Sequence, residues 1–191
     1  MPETNFTNDI EHCLTALQSG GVILFPTNTI WGLGCDATNE AAVNKVLQIK
    51  QRHAAQGLIT LLADAAEIEK YADALPVEVI EEIAQKQNPT TIIYRGAKNV
   101  AANVIPEDRT IAIRIVKDTF CQQLIQVFGK PIVSTSANIH GQPSPQNFAE
   151  INSTVISQVD YVVQYRQQEQ NLFQPSTILK IRPDGFETIR P

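Results

Sequence analysis

The chain has 191 residues, with fifteen Lys and Arg against twenty Asp and Glu for a net charge of −5; 43% of it is hydrophobic and only 18% charged. That apolar share excludes a disordered chain, and the acidic balance excludes a protein that coats nucleic acid with a general basic field. A chain this long buries roughly 70% of its unfolded surface, so one sizeable core needs no staples, and a single domain over residues 1–191 is expected.

Met1–Asn8 is polar and acidic and does not read as a signal peptide. Asn8 and Glu11 form a capping box for a helix that carries Ile10, Leu14 and Leu17 and stops at Gly20-Gly21. Val22–Phe25 reads as a buried strand and Pro26–Gly34 as a loop. Asn39 caps a second helix, with Val43, Val46 and Leu47 on one face, running to about Lys50. Leu58–Ala63 is a strand; Asp64–Ala72 and Val77–Lys86 are helices, the second starting at Pro76. Thr91–Tyr94 and Thr110–Val116 are strands. Asp118 opens a helix that Gly129 ends, Pro131–Thr135 is a strand, and Phe148–Val159 is helical. Tyr161–Tyr165, Ser176–Ile181 and Phe186–Ile189 close the chain as strands, the last two joined by a turn at Pro183-Asp184-Gly185.

Helices and strands alternate early and hairpin-like strands cluster late, which predicts an α/β domain with a mixed sheet. The polar stretch Gln164–Gln174 is either a loop over a site or a long surface connection. No apolar run approaches the ~20 residues of a membrane span. Cys13, Cys35 and Cys121 are odd in number and form no CxxC pair, which predicts reduced thiols and a cytoplasmic location.

Several chemistries are absent from the pattern. There is no GxxxxGK(S/T) loop and no GxSxG elbow. Gly32-Leu33-Gly34-Cys35-Asp36-Ala37 matches GxGxxA, but Pro26–Trp31 separates it from its strand and the next helix starts only after Asn39. His12, His53 and His140 lack metal-ligand spacing with the cysteines, so no protein-built metal site is expected; His12 and Cys13 belong to the first helix.

Four segments are unusual for a plain core. Pro26-Thr27-Asn28-Thr29-Ile30-Trp31-Gly32-Leu33-Gly34 crowds hydroxyls at a strand end, where α/β sheets place ligands; local Asx and Ser/Thr hydrogen bonds are the alternative reading. Lys50-Gln51-Arg52-His53 sets three potential cations at a helix end, either as a phosphate clamp or as helix-dipole capping. Ser134-Thr135-Ser136-Ala137-Asn138 runs into His140-Gly141 and can hand several donors to a small polar ligand. Pro175-Ser176-Thr177-Ile178-Leu179 opens a late strand with a small polar pair.

In this order and at similar separations the four segments resemble the YrdC/TsaC family of threonylcarbamoyl-AMP synthases, over roughly residues 10–190. The PTxTxxGLG stretch together with KxR and TSAN is specific to that family. The resemblance implies a twisted mixed parallel/antiparallel sheet flanked by helices, with a positive concave face. It implies the formation of threonylcarbamoyl-AMP and pyrophosphate from L-threonine, bicarbonate or CO2 and ATP, with Mg2+ carried on the nucleotide. The product feeds the t6A modification of tRNA, through a separate transfer enzyme and with a weak tRNA contact by the chain itself.

By the same resemblance, Lys50 and Arg52 are the catalytic cations at the ATP phosphates and the carbamate. His53, Asn138 and Arg190 join them around the nucleotide. Thr27, Thr29, Arg114, Ser136 and Ser176 line the threonine pocket. The sequence departs from the family pattern at Asn28, Trp31, His53 and Val116, where Asp or Glu, Tyr or Phe, Pro and Pro are usual. Two other readings compete: an RNA-binding module of the same fold, and a related carbamoyl-transfer protein.

Overall fold

In the computed structural model the described residues are 6–52, 58–76, 79, 83, 85, 88–170, 173–182 and 185–191. In chain order the elements are α1 (Thr7–Gln18), β1 (Ile23–Phe25), β2 (Gly32–Asp36), α2 (Glu40–Ile49), β3 (Ile59–Leu62), α3 (Ile68–Tyr71) and β4 (Thr90–Tyr94). They continue as β5 (Ile111–Ile115), α4 (Thr119–Phe128), β6 (Ile132–Ser136), α5 (Ser153–Ile156), β7 (Tyr161–Val162), β8 (Thr177–Arg182) and β9 (Gly185–Arg190). The strands form one mixed sheet in the order β7-β1-β2-β6-β3-β5-β4-β8-β9. Seven of the ten residues of the helix expected over Val77–Lys86 fall outside the described residues, as do two residues of the Pro183-Asp184-Gly185 turn.

Side-chain alternation sorts the sheet into two faces. Along β5, Ile111 and Ile113 enter a smaller apolar cluster with Leu62, Ile92, Tyr94 and Leu179. Arg114, the residue after Ile113, therefore points to the other face. β4 alternates in the same way, so Thr91, next to Ile92, shares Arg114's face. The antiparallel register sets Ile92 opposite Ile113, bringing the two level. The larger cluster joins β1, β2 and β6 to α1, α2 and α4 through Leu17, Phe25, Leu33, Val46, Phe120 and Val133.

Several expected elements hold. Asn39 caps α2 by accepting from Ala42 N, Asp118 caps α4 by accepting from Cys121 N, and Gly129 ends α4 in the left-handed conformation at φ 72°. All three cysteines are free and buried.

Others differ, each for a physical reason. Asn8 does not cap α1: the first residue outside the helix is Phe6, which makes no side-chain cap. Its ring packs on Phe120 and Tyr165, so packing fixes the helix start. The expected loop Pro26–Gly34 ends at Trp31, because Gly32–Asp36 is the buried strand β2, paired with both β1 and β6. Its glycines permit that position: a Cβ on Gly34 would lie 2.6 Å from the Phe25 ring, and one on Gly32 would lie 2.8 Å from Ser134 Oγ.

The helix expected over Phe148–Val159 is two short pieces. Asn147 caps a 3-10 turn over Phe148–Glu150, Ile151 drops extended into the core, and Asn152 caps α5 afresh. Asp64–Ala72 likewise divides into a 3-10 turn, Ala65–Glu67, and the single turn α3. The strand over Tyr161–Tyr165 stops at Val162, because Gln164 N and Tyr165 N donate to the buried Asp9 carboxylate, each at 2.9 Å, instead of to the sheet.

Candidate active site

The four unusual segments meet at one open cavity of about 150 Å³ on the Arg114 face of the sheet. The loop after β1 supplies Thr29 and Trp31, the end of α2 supplies Arg52, and β5 supplies Arg114. β6 supplies Ser136, and the start of β8 with the end of β9 supplies Ser176 and Arg190. Of the expected site residues, Thr29, Arg52, Arg114, Ser136, Ser176 and Arg190 therefore line one cavity. Thr27, Lys50 and Asn138 stand one layer behind it. His53 lies outside the described residues. Sequence reasoning did not single out Ser144 or Ile59, which also line the wall. Ser144 carried a faint signal, as a hydroxyl between Pro143 and Pro145 just after His140-Gly141.

The different depths of Lys50 and Arg52 follow from how α2 ends. Gln51 is left-handed at φ 52°. Gln51 N donates to Gln48 O at 2.9 Å and Arg52 N to Leu47 O at 2.9 Å, the paired bonds of a Schellman cap. The reversal keeps Lys50 inside and turns Arg52 toward the cavity. There, Arg52 Nη2 donates to His140 Nδ1 at 3.2 Å, which leaves the imidazole proton on Nε2.

Lys50 is fully buried. Its ammonium donates to Ser136 O at 2.5 Å, Asn138 Oδ1 at 2.6 Å and Ser136 Oγ at 3.3 Å. Among the described residues no carboxylate joins the set, and burial, with the charge of Arg52 adding to it, pulls the group down to about 7. Ser136 Oγ also donates to Asn138 Oδ1 at 2.6 Å, and Asn138 Nδ2 donates to Gln142 O. The Ser136–Asn138 turn is thus clamped from behind by Lys50.

Proton counting orders the loop after β1. Thr27 Oγ1 donates to Ile30 O at 2.9 Å and accepts from Thr29 N at 3.0 Å. Its single proton being used, the 2.8 Å contact with Thr29 Oγ1 runs from Thr29 to Thr27. Arg114 Nη1 donates to Thr29 Oγ1 at 2.9 Å. Thr29 therefore offers the cavity a lone pair. Arg114 is buried and Nε has no partner among the described residues. Burial lowers its pKa, and Arg190's charge pushes the same way, with Cys121 and Asp118 opposing.

Arg190 Nε and Nη2 donate to Ser176 O at 3.0 and 2.7 Å. Trp31 packs on Phe148 at 4.9 Å between ring centres, forming the apolar side of the wall. The connection over Gln164–Gln174 does not line the cavity among the described residues. Arg166 ties it down, donating to Thr27 O at 3.0 Å, pairing with Glu169 at 2.7 Å and lying 4.9 Å over the Phe173 ring. Three guanidinium groups and a rim of hydroxyls, with no carboxylate among the described lining residues, make a receptor for a small anion.

No group of three His, Cys, Asp or Glu side chains among the described residues is placed to hold a metal ion. No helix there is long and apolar enough to cross a membrane.

Comparison with known proteins gives the same direction. The chain is 38% identical over 157 residues to the threonylcarbamoyl-AMP synthase of Pseudoalteromonas translucida, covering 81% of this chain and 84% of that protein. A double-substituted Sua5 from P. abyssi superposes with a TM-score of 0.85 at 26% identity, over 95% of this chain and 56% of the Sua5 chain. P. abyssi Sua5 complexed with L-threonine gives 0.83 at 24%, over 95% of this chain and 53% of its own. The family model Sua5/yciO/yrdC, described as telomere recombination, matches residues 15–191. The chain belongs to the Sua5/YciO/YrdC family.

Proposed function

We propose that the chain is a threonylcarbamoyl-AMP synthase that serves the t6A modification of tRNA in the cytoplasm. It joins L-threonine, bicarbonate and ATP into threonylcarbamoyl-AMP, pyrophosphate and water, with residues 1–191 acting as one catalytic domain. The observation that carries this is the convergence of Arg52, Arg114 and Arg190 with Thr29, Ser136 and Ser176 on one cavity. A concave site of that size suits a small anionic substrate better than an RNA backbone lying across a face.

The chemistry divides into two bond-forming steps. The threonine amine attacks CO2, released from bicarbonate, and loses one proton to become a carbamate. A carbamate oxygen then attacks the α-phosphorus of ATP, the bond to the β-phosphate oxygen breaks, and pyrophosphate leaves. Neither step demands a strong side-chain base once the amine is free. Catalysis is then mainly positioning and neutralisation of charge.

Arg52, at the cavity edge, faces the phosphates. Lys50 acts from behind through Ser136 and Asn138, which fixes the turn that meets the nucleotide. Arg190 contributes to the same charged side. Arg114, Thr29, Ser136 and Ser176 hold threonine. Thr27 sets the direction of the Thr29 hydroxyl. Among the described residues the lining offers no carboxylate for a metal, so Mg2+ would arrive on the triphosphate and would supply neutralisation of its charge. A separate enzyme passes the threonylcarbamoyl group to tRNA.

Product identification tests this reading. With carbon-labelled bicarbonate, ATP, Mg2+ and L-threonine, mass spectrometry is expected to find an adenylate that carries both the label and threonine. An adenylate without the label, or none at all, rules the activity out.

A further inference from the structure

Ser176 is held from two sides. Arg190 Nη2, besides its bond to the Ser176 carbonyl, reaches Ser176 Oγ at 3.4 Å. From the other side Thr91 Oγ1 lies 2.8 Å from Ser176 Oγ, across 85 positions of sequence. Thr91 is completely buried and does not line the cavity. Its place follows from β4: Ile92 and Tyr94 fill the smaller cluster, so Thr91 faces the site, and parallel pairing with β8 sets Thr90 beside Thr177, next to Ser176.

The direction of the Thr91–Ser176 bond follows from proton counting. A hydroxyl donates once and accepts up to twice. Among the described residues, Ser176 Oγ is the one acceptor within reach of the Thr91 proton. Were the bond reversed, that proton would be buried without a partner, which protein interiors avoid. Arg190 can only donate. Ser176 Oγ therefore receives from Thr91 and Arg190, and its own proton is left for the cavity. This is the opposite polarity to Thr29, whose proton goes to Thr27.

We propose that Thr91 is a positioning residue that polarises Ser176, turning its hydroxyl into a donor aimed at a carboxylate oxygen of the bound amino acid. Arg114 and Arg190 flank that corner, so all three groups present protons to an anion there. The proposal rests on the reading of the cavity as a threonine site.

The test uses Trp31, the only tryptophan of the chain and part of the cavity wall, as a fluorescent reporter of binding. L-threonine and L-threoninamide, which lacks the carboxylate, are titrated into the wild type and variants. Thr91→Val is expected to weaken threonine binding about tenfold while changing threoninamide binding less than about twofold. Thr91→Ser, which keeps the donor, is expected to stay within about twofold of wild type for both. The Thr91→Val/Ser176→Ala double variant is expected to bind threonine no worse than Ser176→Ala alone, since both changes remove one interaction.

Unchanged threonine binding in Thr91→Val overturns the proposal. Equal loss of threonine and threoninamide also overturns it, because that marks a general packing role, and so does simple additivity in the double variant. If Thr91→Val does not fold, Thr91→Ala supplies the same loss of the donor for the comparison. If the wild type itself binds no threonine, the threonine-site reading has failed and the proposal falls with it; that outcome is visible without any variant.

Discussion

Lys50 Nζ stands 2.6 Å from Asn138 Oδ1 in the interior, and its other acceptors are a peptide carbonyl and a hydroxyl. A buried cation with no carboxylate beside it among the described residues is a group waiting for an anion nearby. Its titration is therefore tied both to folding and to ligand binding.

The first consequence is a stability slope. The Lys50 ammonium titrates near its ordinary 10.5 in the unfolded chain and at about 7 in the folded one. Between those values the unfolded chain holds a proton that the folded chain has released, so stability rises with pH, by at most about 1.4 kcal/mol per pH unit. Below about 7 both forms are protonated and Lys50 contributes no slope. Urea titrations at several pH values are expected to show this rise in the wild type and a flatter profile in Lys50→Met.

The second concerns Arg114, buried beside Arg190 with Nε unpartnered among the described residues. Arg114→Met keeps the length of the side chain and removes the charge. It is expected to stabilise the ligand-free protein by about 1–3 kcal/mol in urea and to abolish threonine-dependent turnover. A destabilised Arg114→Met would mean that the guanidinium is held for packing.

Arg52 separates binding from folding. It reaches the cavity only because Gln51 adopts a left-handed conformation. Arg52→Ala is expected to lose roughly 100-fold or more in activity with little change in melting temperature. Pyrophosphate should raise the melting temperature of the wild type and leave that of Arg52→Ala nearly unmoved. Arg52→Lys restores the charge without the planar fork and should recover only part of the effect.

Gly34 tests the packing that turns an expected loop into β2. A Cβ there meets the Phe25 ring at 2.6 Å and Val133 O at 2.8 Å. Gly34→Ala is expected to cost about 1–3 kcal/mol in urea, with threonine affinity affected through the adjoining Thr29 loop.

Much of this site was legible in the sequence because its groups sit in short runs. Thr27 and Thr29 share one turn, Lys50 and Arg52 one helix end, Ser136 and Asn138 one strand exit. Arg114 entered only through the family resemblance; that it faces the site rather than the core shows once Ile111 and Ile113 are seen in the smaller cluster. The Asp118 cap and the Gly129 stop read directly, since both act on neighbouring backbone groups. What was not legible depends on partners distant in sequence. Gly32 and Gly34 look like loop residues until Phe25 and Ser134 are set against them. Phe6, not Asn8, starts α1 because of rings at Phe120 and Tyr165. Lys50 and Arg52 look equivalent in a KxR run, and only the Schellman turn separates their depths. Thr91 and Ser176 meet through the β4–β8 register, which no local pattern encodes.

The central claim is most directly tested by pyrophosphate release from ATP in the presence of bicarbonate and Mg2+. With L-threonine added, stoichiometric release is expected, falling to background when threonine or bicarbonate is withheld, and slowed roughly 100-fold or more in Arg52→Ala. Pyrophosphate release that does not depend on threonine, or none with all substrates present, would contradict it.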